Sequence, residues 1–326
     1  MNPGCTSLRT SFLNPQSTRL VICLADSLPW RRAGAYLFCQ ALLPLFTAMT
    51  LTNLRRLLTP VVLASAMTAS LAAHADATLD KINSRHELAV GVLIGGSPFG
   101  SLDPATQQPR GFNVDLANEL GKRLGAKVQL VSVLPSTRVQ FLQQGKVDIL
   151  IANMEYNAQR GEILDHVATP YYRVGGTAIT AKTSGITRWE DLRGKPVCIS
   201  QGSSYIRPIV ERYGAIPRAF PGASQSLLAL RGGSCVAAVH DAAPLLYPLL
   251  QSDPEWHDYR ALQPEIEPAP SVIWVRQGEH DTAAKLDAFV RDLHRNGWFI
   301  ATEAKNGLNP PSPALAEWHR QLPAEN

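Results

Sequence analysis

From residue 88 onward, short apolar runs alternate with helical patterns at a regular spacing. Leu88 to Val92 reads as a strand, and Val114 to Leu124 as a helix with apolar Val114, Leu116, Ala117, Leu120 and Leu124. Val128 to Val133 alternates and predicts a second strand. Arg138 to Gln144 predicts a helix stopped by Gly145, followed by Val147 to Ile151, an apolar run of the kind buried on both faces of a parallel sheet. A short helical lead carrying Leu79 and Ile82 precedes the first strand.

The cycle then repeats. Pro196 to Ile199 predicts a strand, Tyr205 to Tyr213 a helix, Ile216 to Phe220 a strand, Gln225 to Leu230 a helix closed by Gly232-Gly233, and Cys235 to Val239 a buried strand. Two βαβαβ halves in succession imply an α/β fold of two lobes of like design. Thr177 to Ala181 and Ser271 to Val275 read as extended segments crossing between them, ahead of an amphipathic helix over Ala283 to Asn296. The expected division is residues 76–175 plus 272–326 for lobe one and 176–271 for lobe two. Pro264 to Pro270 is expected to be the return path, and Pro310-Pro311 onward a surface tail.

Composition narrows the function. With 45% hydrophobic and 18% charged residues among 326, the chain is neither disordered nor a multi-span membrane protein. Residues 1–75 hold six Arg and no Lys against Asp26, and removing them from totals of 31 basic and 27 acidic groups leaves 25 and 26. The body therefore offers no segregated nucleic-acid surface. Met49-Thr-Leu-Thr-Asn-Leu-Arg55-Arg56, the uncharged run Leu57 to Ala73 and Ala73-His74-Ala75 form the basic start, apolar middle and small-x-small end of a secretory signal. A membrane anchor needs a longer run, roughly 20 apolar residues, without Pro60. A span over Ala33 to Leu54 is weakened by Pro44 and several Thr. The expectation is an upstream extension over 1–48, a signal peptide over 49–75, cleavage after Ala75, and a free periplasmic product of 251 residues.

Export changes how cysteine is read. Cys5, Cys23 and Cys39 fall in the removed part, leaving Cys198 and Cys235 as an even pair in an oxidising compartment. A disulfide is expected, the alternative being two buried thiols on neighbouring strands.

His-Glu-x-x-His, Cys-x-x-Cys, Gly-x-Ser-x-Gly, P-loop and dinucleotide glycine patterns do not occur, so no catalytic residue, metal ligand or cofactor is assigned. Polar groups cluster instead at the carboxyl ends of predicted strands, where open α/β sheets place ligands: Asn153, Glu155 and Arg160 after one, Ser203 and Ser204 after another, His240 and Asp241 after a third. Arg160 suits a carboxylate, free N–H groups at Ser203 and Ser204 at a helix start favour the same anion, and Asp241 suits an ammonium. An α-amino acid carries both charges. Taken singly, each residue is also explained as a surface charge or a helix cap.

The segments Gly111-Phe-Asn-Val-Asp115-Leu-Ala, Asn153-(x)6-Arg160, Leu192-Arg-Gly-Lys-Pro-Val-Cys-Ile-Ser-Gln-Gly202-Ser-Ser and Gly233-(x)7-Asp241 give the chain a specific likeness. Over residues 78 to 307 it resembles the periplasmic solute-binding proteins of polar amino acid ABC transporters, the family 3 extracellular solute-binding proteins. The resemblance implies a type II, clamp-like, two-lobed periplasmic binding protein, each lobe a mostly parallel sheet flanked by helices, with two crossover strands. It implies that Arg160 with the amides at Glu155 and Ser204 holds a ligand α-carboxylate, and that Asp241 with a group near Asn153 holds the α-amino group. The implied partners are an amino acid and an inner-membrane permease, with no nucleic acid, and the protein is expected to be a monomer.

Two departures bear on the ligand. Gly95-Gly96-Ser97 stands where many members place an aromatic residue before Pro98-Phe99, which implies a differently lined pocket around Gly96 and Phe99. Glu155 replaces a usual Ser or Thr, so it either turns to solvent or pairs with Arg160 while the site is empty, or else it helps neutralise a cationic ligand or takes over part of the ammonium contact. Side-chain selectivity is expected around Gly95, Phe99, Tyr156 and Tyr205. Rival readings are a periplasmic enzyme on the same scaffold, similar to cyclohexadienyl dehydratases with Glu155 or His240 as general acid, and a solute-sensing subunit.

Overall fold

The computed structural model describes residues 76–96 and 98–322. The expected extension, signal peptide and cleavage point all lie outside the described residues. Helix α1 (Ala77–Arg85) starts at Asp76, whose carboxylate accepts the Leu79 N–H at 3.2 Å. It leads into β1 (Glu87–Leu93), then the short hairpin β2 (Ser101–Leu102) and β3 (Pro109–Arg110). Helix α2 (Phe112–Leu124) buries the apolar stripe that its 3.6-residue period predicts. Strand β4 (Lys127–Val133), helix α3 (Arg138–Gln143) and strand β5 (Ile149–Ile151) complete the first βαβαβ half, with β4 and β5 both parallel to β1 on either side of it.

All three residues of β5 have no exposed surface. Ile149 and Ile151 face the core that holds Phe112, Leu116 and Leu120 of α2, and Leu150 faces the opposite core with Val133 and Leu142. A strand covered on both sides has no polar face, and this explains its unbroken apolar run.

After α4 (Ala158–Gly161) and β6 (Leu164–His166), the chain enters a second sheet through β7 (Tyr172–Ala181). There β8 (Pro196–Ser200), α5 (Ile206–Glu211), β9 (Ile216–Phe220), α6 (Ala223–Arg231) and β10 (Ala237–Asp241) repeat the design, with β8 parallel to both β9 and β10. A π-helical turn over Ala242–Leu246, α7 (Tyr247–Ser252), β11 (Tyr259–Ala261) and β12 (Ile266–Ser271) follow. The chain then returns through β13 (Trp274–Arg276) to α8 (His280–Arg295), α9 (Trp298–Lys305) and α10 (Pro313–Gln321). The first sheet runs β4-β1-β5-β13-β6 and the second β11-β7-β10-β8-β9, with β12 on β7. The fold is thus the two-lobed clamp, with the chain passing between the two sheets twice. The crossings lie side by side: the Tyr171 N–H donates to the Ser271 carbonyl at 3.0 Å, and Tyr172 is in register with Ser271.

The structure corrects three expectations. The proline-rich stretch is itself strand β12, tolerated because Pro268 falls within a register shift between Ile266 and Ala269 and Pro270 serves the Tyr156 N–H only as an acceptor, through its carbonyl at 2.9 Å. The expected crossover Ser271 to Val275 is broken, Ser271 ending one strand and Trp274 starting another. The segment beyond Pro310 is no surface tail, because α10 packs Leu315, fully buried, into the first lobe's core.

Cys198 and Cys235 form a disulfide with a Cα–Cα distance of 5.6 Å. Cys198 lies in β8, while Cys235 falls just before β10 and is not part of it, so the two-thiol alternative does not hold.

Candidate ligand-binding site

Six strand ends build one cavity of about 160 Å³ between the lobes: β1 delivers Leu93 to Gly96, β9 leads to Gly222 to Gln225, and the other four carry most of the polar groups. Strand β4 delivers Leu134, Pro135 and then Arg138 at the start of α3; β5 delivers Asn153 and Glu155; β8 delivers Ser200, Ser203 and Ser204; β10 delivers His240 and Asp241. Carboxyl ends of parallel strands converge in this way because each connection turns over the same edge of its sheet.

The lobes touch around the cavity. The Ser224 hydroxyl donates to the Gly95 carbonyl at 2.9 Å. A Cβ on Gly96 would stand 2.4 Å from Leu245 Cδ1. Gly202, at φ +77°, brings its backbone so close to the other lobe that a Cβ would lie 2.7 Å from Ser136 Cα. The clamp therefore stands closed.

Of the candidate residues, Asn153, Glu155, Ser203, Ser204, Asp241, Phe99 and Gly96 all line this cavity. Phe99 is also a core residue, 4.9 Å from the Phe112 ring and 4.7 Å from that of Tyr172. Helix α5 begins at Ile206, later than expected, so Ser203 and Ser204 occupy the turn before it. The Ser203 N–H already donates to the Ser200 carbonyl at 3.1 Å, and its hydroxyl accepts from the Tyr205 N–H at 3.3 Å. Tyr156 lies elsewhere: it stacks on Trp274 and lines a second hollow on the far side of Glu155 and Ser204.

Arg160 is not among the residues lining the cavity. Its Nη1 contacts the Glu155 carboxylate at 2.5 Å and donates to the Glu155 carbonyl at 2.9 Å. The arrangement is the Glu155–Arg160 pair that the sequence raised as one of the fates of Glu155.

The cation that does line the cavity is Arg138, which sequence reasoning read only as the first residue of a helix. Its position after the β4 strand end was the available signal, since that is where the other site residues were sought. Arg138 is 5% exposed. Its Nη1 donates to the Ala152 carbonyl at 2.6 Å and its Nε has no partner. Among the described residues no carboxylate lies within ion-pair distance of it. Burial, with the like charge of Arg160, pushes this guanidinium down to about 10, so it remains charged at neutral pH.

Asp241 supplies the opposite charge. The Tyr205 hydroxyl donates to its Oδ1 at 2.8 Å. Burial pushes the Asp241 carboxyl up to about 6; the Tyr205 hydrogen bond works against the shift and the Glu155 charge adds to it. Asn153, held at φ +49°, accepts from Asn113 Nδ2 at 2.8 Å and presents its N–H to the Tyr171 hydroxyl at 2.9 Å. His240 bonds Ser226 Oγ at 2.8 Å, and burial pushes its imidazole down to about 3, which leaves it neutral. The described residues contain no cluster of three or more His, Cys, Asp or Glu arranged to hold a metal ion. Chemically, the cavity offers one buried cation without a carboxylate partner, the carboxylate of Asp241, that of Glu155 paired with Arg160, several hydroxyl and amide groups, and apolar walls.

Known proteins share this architecture. The family model for bacterial extracellular solute-binding proteins, family 3, matches residues 88–308. The glutamine-binding protein of Geobacillus stearothermophilus is 30% identical over 203 residues, covering 60% of this chain and 75% of that protein. Among solved structures, the cysteine-binding protein from Campylobacter jejuni superposes with a TM-score of 0.65 at 26% identity, covering 70% of this chain and 92% of its own. Holo ArgBP from T. maritima gives a TM-score of 0.62 at 25% identity, covering 69% and 98%. With the family model matched across both lobes and the inter-lobe cavity, the chain belongs to the bacterial extracellular solute-binding proteins, family 3.

Proposed function

We propose that this protein is the exported substrate-binding subunit of an ABC-type uptake system, closing its two lobes on an α-amino acid and delivering it to an inner-membrane permease. The observation that carries the reading is the charge layout of the inter-lobe cavity: a buried guanidinium without a carboxylate partner, Arg138, together with the carboxylate of Asp241. A buried charge without a partner is retained at a cost unless a ligand supplies the counter-ion. Relatives and structural neighbours named for binding glutamine and cysteine support the same class. Ligand binding across the lobes shifts the population toward the closed clamp, which the permease then recognises.

The finer parts of the reading are a lobe division at 76–175 plus 272–326 against 176–271, a monomeric state, and a periplasmic location after signal cleavage near Ala75. The lobe division is supported by the paired crossings at Tyr172 and Ser271, and the location by the family's extracellular description. The enzyme alternative has less support, because Glu155 is engaged by Arg160 and His240 is neutral, leaving neither poised as a general acid.

The test is thermal unfolding of the mature protein, freed of carried-over ligand by unfolding and refolding, against individual amino acids. Ligand at a hundredfold excess over its dissociation constant adds about 2.7 kcal/mol and raises the midpoint by several degrees. Absence of any shift across the panel, with turnover of arogenate or prephenate, would replace the receptor reading by the enzymatic one.

A further inference from the structure

We infer that the ligand's carboxylate is taken by Arg138, with Glu155 serving as a built-in anion that occupies Arg160, and that the ligand is an amino acid with an uncharged side chain. The inference rests on the receptor reading above and deepens it. Two guanidinium groups stand near the cavity, and they differ in what they already hold. Arg160 is bound by the carboxylate and the carbonyl of Glu155, five residues earlier on the same segment. A ligand carboxylate reaching Arg160 competes at Nη1 with a side-chain anion tethered by its own backbone, which is present at far higher effective concentration than any free solute. Arg138 holds one carbonyl, leaves its Nε without an acceptor, and faces the cavity. An arginine fork presented this way suits a carboxylate that arrives with the ligand.

The charge balance then limits the ligand. Glu155 and Arg160 neutralise one another, so the cavity's remaining charges are Arg138 and Asp241, one of each sign. A zwitterion matches both. A second carboxylate or a second cation on the ligand would be desolvated without a counter-charge, which binding sites disfavour strongly. The other walls agree: Leu93, Ile94, Val133, Leu134, Pro135 and Leu245 are apolar, and His240 is neutral and already bonded to Ser226. Glu155 is thus a specificity-determining residue that withholds Arg160 from the ligand.

The experiment is titration calorimetry of the refolded mature protein with leucine, valine, glutamine, glutamate, aspartate, lysine and arginine, repeated with Arg138→Gln, Arg160→Gln and Glu155→Gln. The expected result is binding confined to uncharged members, with affinity lowered at least a hundredfold by Arg138→Gln and less than tenfold by Arg160→Gln. Glu155→Gln, which keeps the side-chain shape and frees Arg160, is expected to improve glutamate or aspartate at least tenfold relative to the best uncharged ligand. That variant decides the matter even if Arg138→Gln fails to fold. A larger loss with Arg160→Gln than with Arg138→Gln, a charged amino acid as the best ligand of the unaltered protein, or an unchanged ranking in Glu155→Gln overturns the inference while leaving the receptor reading intact. Binding of no amino acid by the unaltered protein overturns both.

Discussion

Tyr205 donates its hydroxyl to Asp241 at 2.8 Å, joining the turn after β8 to the end of β10 in the second lobe. Both side chains line the cavity, so the Asp241 carboxylate, the proposed acceptor for a ligand ammonium, is held in place by a group from a different strand end. Burial pushes the Tyr205 phenol well up and the Asp241 charge adds to it, so Tyr205 stays a donor at any physiological pH.

This pair predicts a pH dependence. The Asp241 carboxyl, ordinarily at 3.8, titrates near 6 in the folded protein. A raised acid pKa means that the folded state holds the proton more tightly than the unfolded one. The corresponding stability is fully present below about pH 4 and is lost as pH rises through 6, amounting to roughly 2 to 3 kcal/mol. Ligand binding runs the other way, because an ammonium needs the ionised carboxylate: affinity is expected to fall up to tenfold per unit as pH drops below 6. Calorimetry at pH 7.5 and 5.0 checks this, and Asp241→Asn should flatten the profile.

Closure itself is testable at Gly202. Its positive φ disfavours any side chain, and an added Cβ would meet Ser136 of the other lobe at 2.7 Å, a backbone neighbour that cannot swing away. Gly202→Ala should therefore weaken ligand binding at least tenfold. The clash is absent when the lobes separate, so the ligand-free melting temperature should fall by only a few degrees. Equal losses in both would place the effect in the turn and not in closure.

The disulfide links positions 37 residues apart. By the chain-entropy relation its reduction should cost about 3 to 4 kcal/mol, which for a protein of this size lowers the melting temperature by roughly 10 °C. Calorimetric melts with and without reductant measure it. Ligand ranking should stay unchanged, since neither cysteine lines the cavity.

Leu315 reports on the carboxyl-terminal helix. It is fully buried against the first lobe, and Leu315→Ala should destabilise by about 2 to 5 kcal/mol in denaturant titration. A change under 0.5 kcal/mol would mean that α10 does not pack there.

Read alone, the chain determined the α/β cycle, the doubled design, the buried runs that became β5 and β10, the pairing of Cys198 with Cys235, and most of the strand-end polar residues that line the cavity. These follow from local signals: side-chain periodicity records which faces an element buries, and in a parallel α/β sheet the carboxyl ends are where ligands go. The tertiary structure alone decided which of two arginines enters the cavity. Arg138 opens the helix that follows β4 and Arg160 lies in the short helix that follows β5, and no local pattern records which of them the closed lobes enclose. Glu155 makes the difference, turning its carboxylate to Arg160 while Arg138 is enclosed between the lobes. The same holds for β12 and α10, whose prolines read as breaks: β7 and the first lobe's core supply partners that no local pattern records. Contacts between segments far apart in the chain are set by how the lobes pack and close, and their energies outweigh local preference.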